Sequence, residues 1–226
     1  DTRMPELPEV ETVRAGLAPV MEGRSFTRVQ MNRPDLRFPL PERFRERLEG
    51  QSVISLKRRA KFLMAEISTG ELLLMHLGMS GRFTIAAGAQ SMANSPTIPK
   101  HDHVVFTMSG EDKPTITYND VRRFGFMELL AAGDLGRMKD LGPEPLSNSF
   151  NGPALYAKLA GRKSPIKSAL LDQAVVAGLG NIYVLEALHR SHISPLRLSC
   201  DIAEDEADLL AAEIKATLNR AIAAGG

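Results

Sequence analysis

Near the start of the chain stands Met4-Pro5-Glu6-Leu7-Pro8-Glu9. Removal of Met4 leaves Pro5 as the amino terminus, with a secondary amine. Such an amine can attack an aldehyde-like carbon and leave a cationic imine, the way an amine nucleophile opens a sugar. Glu6 follows directly, able to donate or accept protons beside it. An α-amino group titrates near pH ~7.7–8.0, so a useful fraction is unprotonated at neutral pH. Asp1-Thr2-Arg3 precede Met4, and a proline nitrogen tied up in an amide is not a nucleophile. The tripeptide reads as an appended remnant or a mis-assigned start.

A second segment with chemical potential is Val176-Ala177-Gly178-Leu179-Gly180-Asn181-Ile182-Tyr183. Two glycines two residues apart let the backbone turn tightly before a helix, and Asn181 is positioned to cap it. A helix start directs N–H groups outward, a ready site for phosphate. Taken alone, the pattern fits an ordinary helix-turn-helix corner better. Two further segments read as tips. His76-Leu77-Gly78-Met79-Ser80-Gly81 carries an apolar Met79 between glycines, and Asp120-Val121-Arg122-Arg123-Phe124-Gly125 carries arginines and an aromatic. Apolar side chains with arginine on loops suit a wedge that enters a base stack and fills the space of an extruded nucleotide. Core filling is the alternative for Met79 or Phe124 singly; two such tips in one chain favour the wedge. His101-Asp102-His103 has metal-ligand spacing, and on a strand both histidines share a face. No third and fourth ligand is evident, so structural or phosphate-contacting histidines are the preferred reading. No Gly-x-Ser-x-Gly elbow supports a hydrolase triad.

These residues must be held by elements that the pattern also announces. Pro8 with Glu9 and Glu11 marks a helix start, and Val10, Val13, Leu17 and Val20 recur at helical spacing. Pro19 and Gly23 limit its length. From about residue 25 to 130 the pattern is short and β-like. Strands are predicted over 52–56, 62–67, 71–77, 104–108, 115–118 and 124–130, with turns at 68–70 and 109–112. Residues 87–100, rich in Ala, Gly, Ser and Pro, read as a mobile loop. Many short strands suggest a sandwich or barrel. After a connector over 133–152, helices are predicted over 153–160, 166–173, 181–189 and 204–224. The last has Leu209, Leu210, Ile214, Leu218 and Ile222 on one stripe, with Asp201 or Asp205 as a cap.

The 226 residues suffice for one large domain or two modest ones. No apolar run reaches the ~18 residues of a membrane span, and the polar start offers no signal peptide. One cysteine, Cys200, excludes an internal disulfide, fits a reducing cytosol and cannot build a cysteine-rich zinc site. The net charge is only +1, but residues 24–61 carry eleven Lys/Arg against four Asp/Glu. Such a basic stretch is the footprint of a polyanion partner, with a solvated surface as the equal alternative.

With PELPEVETVR (5–14), RRAKFL (58–63), HLGMSG (76–81), KHDHV (100–104), RRFG (122–125), LGPEPL (141–146) and IK…LLDQ…GLGNIY…EAL (166–188) in order along the chain, it resembles bacterial formamidopyrimidine-DNA glycosylases from Met4 to Gly226. The resemblance implies an α+β protein: an N-terminal β-sandwich with a leading helix over 4–132, a linker over 133–152, and an all-helical helix–two-turn–helix domain over 153–226. It implies excision of oxidised purines such as 8-oxoguanine and formamidopyrimidines from duplex DNA, followed by strand cleavage at the abasic site. Leu7 looks like the purine-lesion branch; the endonuclease VIII branch usually has glycine there. Pro5 then matches the nucleophile, Glu6 the carboxylate that assists sugar opening, Lys61 a lysine near the lesion and its phosphate, and Glu9 a second acid beside the lesion pocket. Met79, Arg122 and Phe124 match the gap-filling side chains. His101, Arg123, Lys167, Asn181 and Tyr183 are expected on DNA phosphates. No cofactor is expected for the chemistry. Intact members carry a four-cysteine zinc ribbon beyond the double glycine, and its ligands are absent from this sequence. The expected partner is damaged double-stranded DNA, with no membrane, for a monomer in the bacterial cytoplasm at the nucleoid. A chain that keeps Asp1-Thr2-Arg3 is expected to bind weakly without cleaving, as a blocked damage-binding module. An RNA-binding structural protein leaves the Pro5-Glu6 pair and the tips without purpose.

Overall fold

The computed structural model describes residues 4–88 and 99–226. Asp1-Thr2-Arg3 and most of the loop expected over 87–100 lie outside the described residues. Helix α1 (Leu7–Met21) is followed by strand β1 (Phe26–Met31), a short helix α2 (Phe44–Leu48), and strands β2 (Val53–Arg59), β3 (Phe62–Ile67), β4 (Leu72–His76), β5 (Gly81–Ala86), β6 (Asp102–Met108), β7 (Thr115–Asp120) and β8 (Phe126–Leu130). Helices α3 (Gly152–Leu159), α4 (Ile166–Leu171), α5 (Asn181–Arg190) and α6 (Glu204–Ala223) complete the chain, with 3-10 turns at Gly136–Met138 and Ser199–Asp201. The protein is α+β.

Among the described residues the strands form two four-stranded sheets, ordered β1-β6-β7-β5 and β2-β3-β4-β8. The pairing is antiparallel, as between β3 and β4 from Phe62 opposite His76 to Glu66 opposite Leu72. Inward residues of both sheets meet in one core. Val29, Phe106 and Ile116 come from the first sheet, and Leu56, Leu63, Ile67, Leu73 and Met127 from the second. Val10, Leu17 and Met21 of α1 join them. Alternation explains the geometry: in β3, Leu63, Ala65 and Ile67 point in while the residues between them are less buried. Helix α1 runs through Pro19 to Met21 and stops before Gly23, whose φ of 71° only glycine adopts readily. Pro19 has no N–H to give the Ala15 carbonyl, so the helix forgoes one hydrogen bond two residues before its end.

The chain divides into two compact units that are not continuous in sequence. The first holds Val10–Arg58 and Phe62–Gly136, together with the residues up to Pro5. The second holds Glu6–Glu9, Arg59–Lys61 and Arg137–Gly226. In the second unit α3 to α6 pack around Leu155, Ile166, Leu170, Val184, Leu188, Leu210, Ile214 and Leu218. Leu7 is part of that core and fully buried. Neither Asp201 nor Asp205 caps α6. Ala203 is the N-cap, and the Glu206 carboxylate reaches back to its N–H at 2.9 Å, which satisfies the donor from inside the helix instead. No described helix is long and apolar enough to cross a membrane.

Candidate active site

Glu6 comes to rest at the start of α5. Its Oε2 accepts the Gly180 N–H at 2.8 Å and its Oε1 the Ile182 N–H at 3.0 Å. The side chain is buried, 2% exposed. This corrects two sequence expectations. Asn181 does not cap the helix; it is the first helical residue, is exposed, and the N-cap is Gly180. Nor are the Gly180 and Ile182 N–H groups at this helix start left for phosphate, because the chain's own carboxylate takes both. A helix N-terminus favours an anion, and the residue beside Pro5 supplies it.

The glycines also act differently from a simple tight turn. Gly178 has φ 92°, a left-handed value, and a Cβ there would come within 2.8 Å of Leu7 Cδ1. Gly180 has φ −135°, which any residue adopts, but a Cβ would sit 2.4 Å from the Glu6 carboxyl carbon. Its smallness makes room for Glu6. Leu7 N–H donates to the Gly178 carbonyl at 3.1 Å and anchors the segment.

Glu9 lies one turn on. Its Oε2 accepts the Glu6 N–H at 2.9 Å, the reach-back half of a capping box at the start of α1. Its Oε1 accepts the Tyr183 hydroxyl at 2.5 Å. Tyr183, expected on a phosphate, is 7% exposed and commits its hydroxyl to this carboxylate. Burial and the negative charges of Glu9 and Glu6 push that phenol's pKa up, so it stays a donor.

Lys61 completes the cluster. Burial pushes its ammonium below the ordinary lysine range, and Glu6 and Glu9 oppose the shift. Burial likewise pushes the Glu6 carboxyl above its usual range, against the Ile182, Gly180 and Tyr183 N–H groups and the charge of Lys61. The turn that carries Lys61 is pinned. Ala60 adopts φ 52°, the left-handed region. Arg59 reaches Glu144 at 2.8 Å and the Gly142 carbonyl at 2.6 Å, and the Ala60 N–H donates to the same Glu144. The 141–146 motif thus has a local function in holding residues 59–61.

Met79, Arg122 and Phe124, the residues expected to form a wedge, belong to the first unit. Phe124 is 41% exposed, with the Arg122 guanidinium 4.7 Å over its ring. Met4, Leu36, Arg37, His76, Gly78, Met79, Arg122, Arg123 and Phe124 line a cavity of about 540 Å³. Met79 and Phe124 are therefore not core filling. The Gly78 backbone presses on Phe124, since a Cβ there would fall 2.3 Å from the Phe124 carbonyl carbon. Arg123 lies 3.6 Å from Asp35, both partly exposed. Lys167 is half-buried in the first turn of α4. His101 is half-buried, and His103 is 2% exposed with Nε2 2.7 Å from the Asp120 carbonyl oxygen. Sequence reasoning gave no role to Asp120, whose carboxylate sits beneath both tips. The available signal was an acid three residues before an Arg-Phe-Gly turn, the spacing at which a side chain accepts the Arg123 N–H.

The basic stretch over 24–61 is less open to a polyanion than its count suggests. Arg24, Arg33, Arg47, Arg58 and Arg59 pair with Asp112, Asp35, Glu71, Glu11 and Glu144. The described residues hold no group of three or more His, Cys, Asp and Glu that fits a metal, and Cys200 is exposed.

Residues 4–127 match the model for the formamidopyrimidine-DNA glycosylase N-terminal domain, and residues 141–226 match that for the formamidopyrimidine-DNA glycosylase H2TH domain. The formamidopyrimidine-DNA glycosylase of Ruegeria pomeroyi is 53% identical over 228 positions, covering 99% of this chain and 80% of the relative. That of Cereibacter sphaeroides is 50% identical over the same shares. The Lactococcus lactis enzyme bound non-covalently to abasic-site DNA superposes with a TM-score of 0.87 at 33% identity, over 98% of this chain and 83% of that one. Its complex with DNA containing a formamidopyrimidine lesion gives 0.87 at 33% identity, over 98% and 81%. On both halves of its length, then, the chain belongs to the formamidopyrimidine-DNA glycosylase family.

Proposed function

We propose that this glycosylase removes oxidised purines, 8-oxoguanine and formamidopyrimidines, from duplex DNA and then cleaves the strand as an abasic-site lyase through Pro5. The observation that carries the reading is the Glu6 carboxylate, one residue after Pro5, buried and held by the Gly180 and Ile182 N–H groups with Lys61 beside it. The Lactococcus lactis relative, bound to formamidopyrimidine and abasic-site DNA, supports the substrate class.

The Pro5 nitrogen, unprotonated and terminal, attacks C1′ of the damaged nucleotide. The glycosidic electron pair leaves with the base, and the base takes up the proton that the Pro5 nitrogen sheds, so the nitrogen regains its lone pair. The sugar ring then opens as its oxygen accepts a proton from Glu6, leaving a C1′ iminium. Burial favours a protonated Glu6, and each oxygen still has a lone pair beyond the one engaged by an N–H. The iminium acidifies C2′–H. Loss of that proton expels the 3′ phosphate, and a second elimination expels the 5′ phosphate. Water releases Pro5. Lys61 steadies the negative charge of Glu6 and Glu9. No cofactor enters any step.

Extrusion comes first, because a stacked base is out of reach and flipping costs a few kcal/mol. Met79, Arg122 and Phe124 offset the lost stacking. His101, Arg123, Lys167 and Asn181 neutralise or bind phosphates. The enzyme acts as a monomer in the bacterial cytoplasm. Borohydride trapping on an 8-oxoguanine duplex, with protein beginning at Pro5, gives a covalent adduct on this reading. Absence of an adduct and of excision would refute it.

A further inference from the structure

We propose that the Asp120 carboxylate is a latch that fixes the two wedge tips as one body, making Asp120 a positioning residue for nucleotide extrusion; the proposal rests on the wedge reading above. Asp120 ends β7 and is fully buried, 0% exposed. A buried carboxylate persists only when donors surround it. Four converge here. Oδ1 accepts the Ser80 hydroxyl at 2.5 Å and the Arg123 N–H at 3.0 Å. Oδ2 accepts the Tyr118 hydroxyl at 3.0 Å and the Gly125 N–H at 2.9 Å.

The donors come from both tips. Ser80 follows Met79, while Arg123 and Gly125 flank Phe124. Tyr118 rises from the strand beneath. Ser80 Oγ closes the circuit by accepting the Arg122 N–H at 3.0 Å. Each wedge side chain is thus adjacent in sequence to a group tied into this network. The packing leaves no slack. A Cβ on Gly125 would lie 1.8 Å from the Tyr118 hydroxyl, and one on Gly81 2.3 Å from the Leu77 carbonyl oxygen. Arg123 keeps a left-handed φ of 53°, a conformation that lasts only where its surroundings impose it. Charge-assisted bonds are the stronger kind, and the charge sits where both tips can use it. Tips fixed beforehand need not be ordered while the duplex opens.

Asp120→Asn keeps the shape and removes the charge, and whichever way its amide turns, an NH₂ faces donors. Ser80→Ala and Tyr118→Phe remove one donor each and serve if Asp120→Asn does not fold. Single-turnover excision of 8-oxoguanine is measured in a paired duplex and in an unpaired bubble, with 2-aminopurine beside the lesion reporting extrusion. Because extrusion costs least from an unpaired site, the paired-to-bubble rate ratio should fall about tenfold in Asp120→Asn. The extrusion signal should slow in step. A merely structural defect lowers both rates together and leaves the ratio at the parental value. That result in Asp120→Asn, or in both Ser80→Ala and Tyr118→Phe, overturns the latch. Phe124→Ala separates the two readings. If it leaves the ratio unchanged, the wedge itself fails. If it lowers the ratio and the latch variants do not, the latch alone fails.

Discussion

Gly180 is a sharp test of how Glu6 is held. A methyl group there would collide with the end of a flexible side chain rather than with backbone. The protein can absorb Gly180→Ala by moving the Glu6 carboxylate off its two N–H donors. Stability should then fall by roughly 3–6 kcal/mol, on the scale of two hydrogen bonds to a charged group. Borohydride trapping should fall at least about a hundredfold, the usual contribution of a positioned acid/base. A variant with parental trapping would show that Glu6 need not sit there. Lys61 offers a second test. Its positive charge favours ionised Glu6, so Lys61→Met should raise the Glu6 pKa further above the usual carboxylate range. Carbon-13 NMR of labelled glutamate reads this directly, and a downward move would break the assigned coupling.

At the scale of elements, the start of α1 matters most. Leu7 is fully buried in the core of the helical unit, so it is first of all a packing residue. Leu7→Ala should cost roughly 2–5 kcal/mol, measured by urea denaturation, and should release Glu6 with it. A loss below about 1 kcal/mol would contradict the packing role. None of this was legible locally, because Glu6 and Gly180 are 174 residues apart. Strands with clean alternation, such as Phe62–Ile67, could be read from sequence. Strand β1 escaped individual assignment because a bulge between Phe26 and Arg28 breaks its period. Strand β5 lies at a sheet edge and is half-exposed, and α2 has five residues, too few for a helical period. Both tips were visible from Met79, Phe124 and their glycines. The acid beneath them left only its spacing to the Arg123 N–H as a local sign, because the Ser80 hydroxyl that helps complete its shell comes from another segment.

For the whole molecule, the question is which of its many cations meet DNA. Composition alone offers all eleven basic residues of 24–61 to the phosphate backbone. Five of them already have carboxylate partners, and an arginine in such a pair must abandon it to release a DNA counterion. The salt dependence of binding counts contacts, because log Kobs falls by about 0.9 per phosphate neutralised. Arg47, paired with Glu71, and Lys167, at the start of α4, make the comparison. Lys167→Gln should flatten the slope by nearly one unit and weaken binding evenly across sequences. Arg47→Gln should leave the slope unchanged to within about 0.3, its cost appearing in stability instead. The measurement is fluorescence anisotropy on an abasic-site analogue duplex from 50 to 200 mM salt, a range over which such contacts change affinity strongly. Equal flattening by both substitutions would mean that the pairs open on binding and that the whole basic stretch engages DNA.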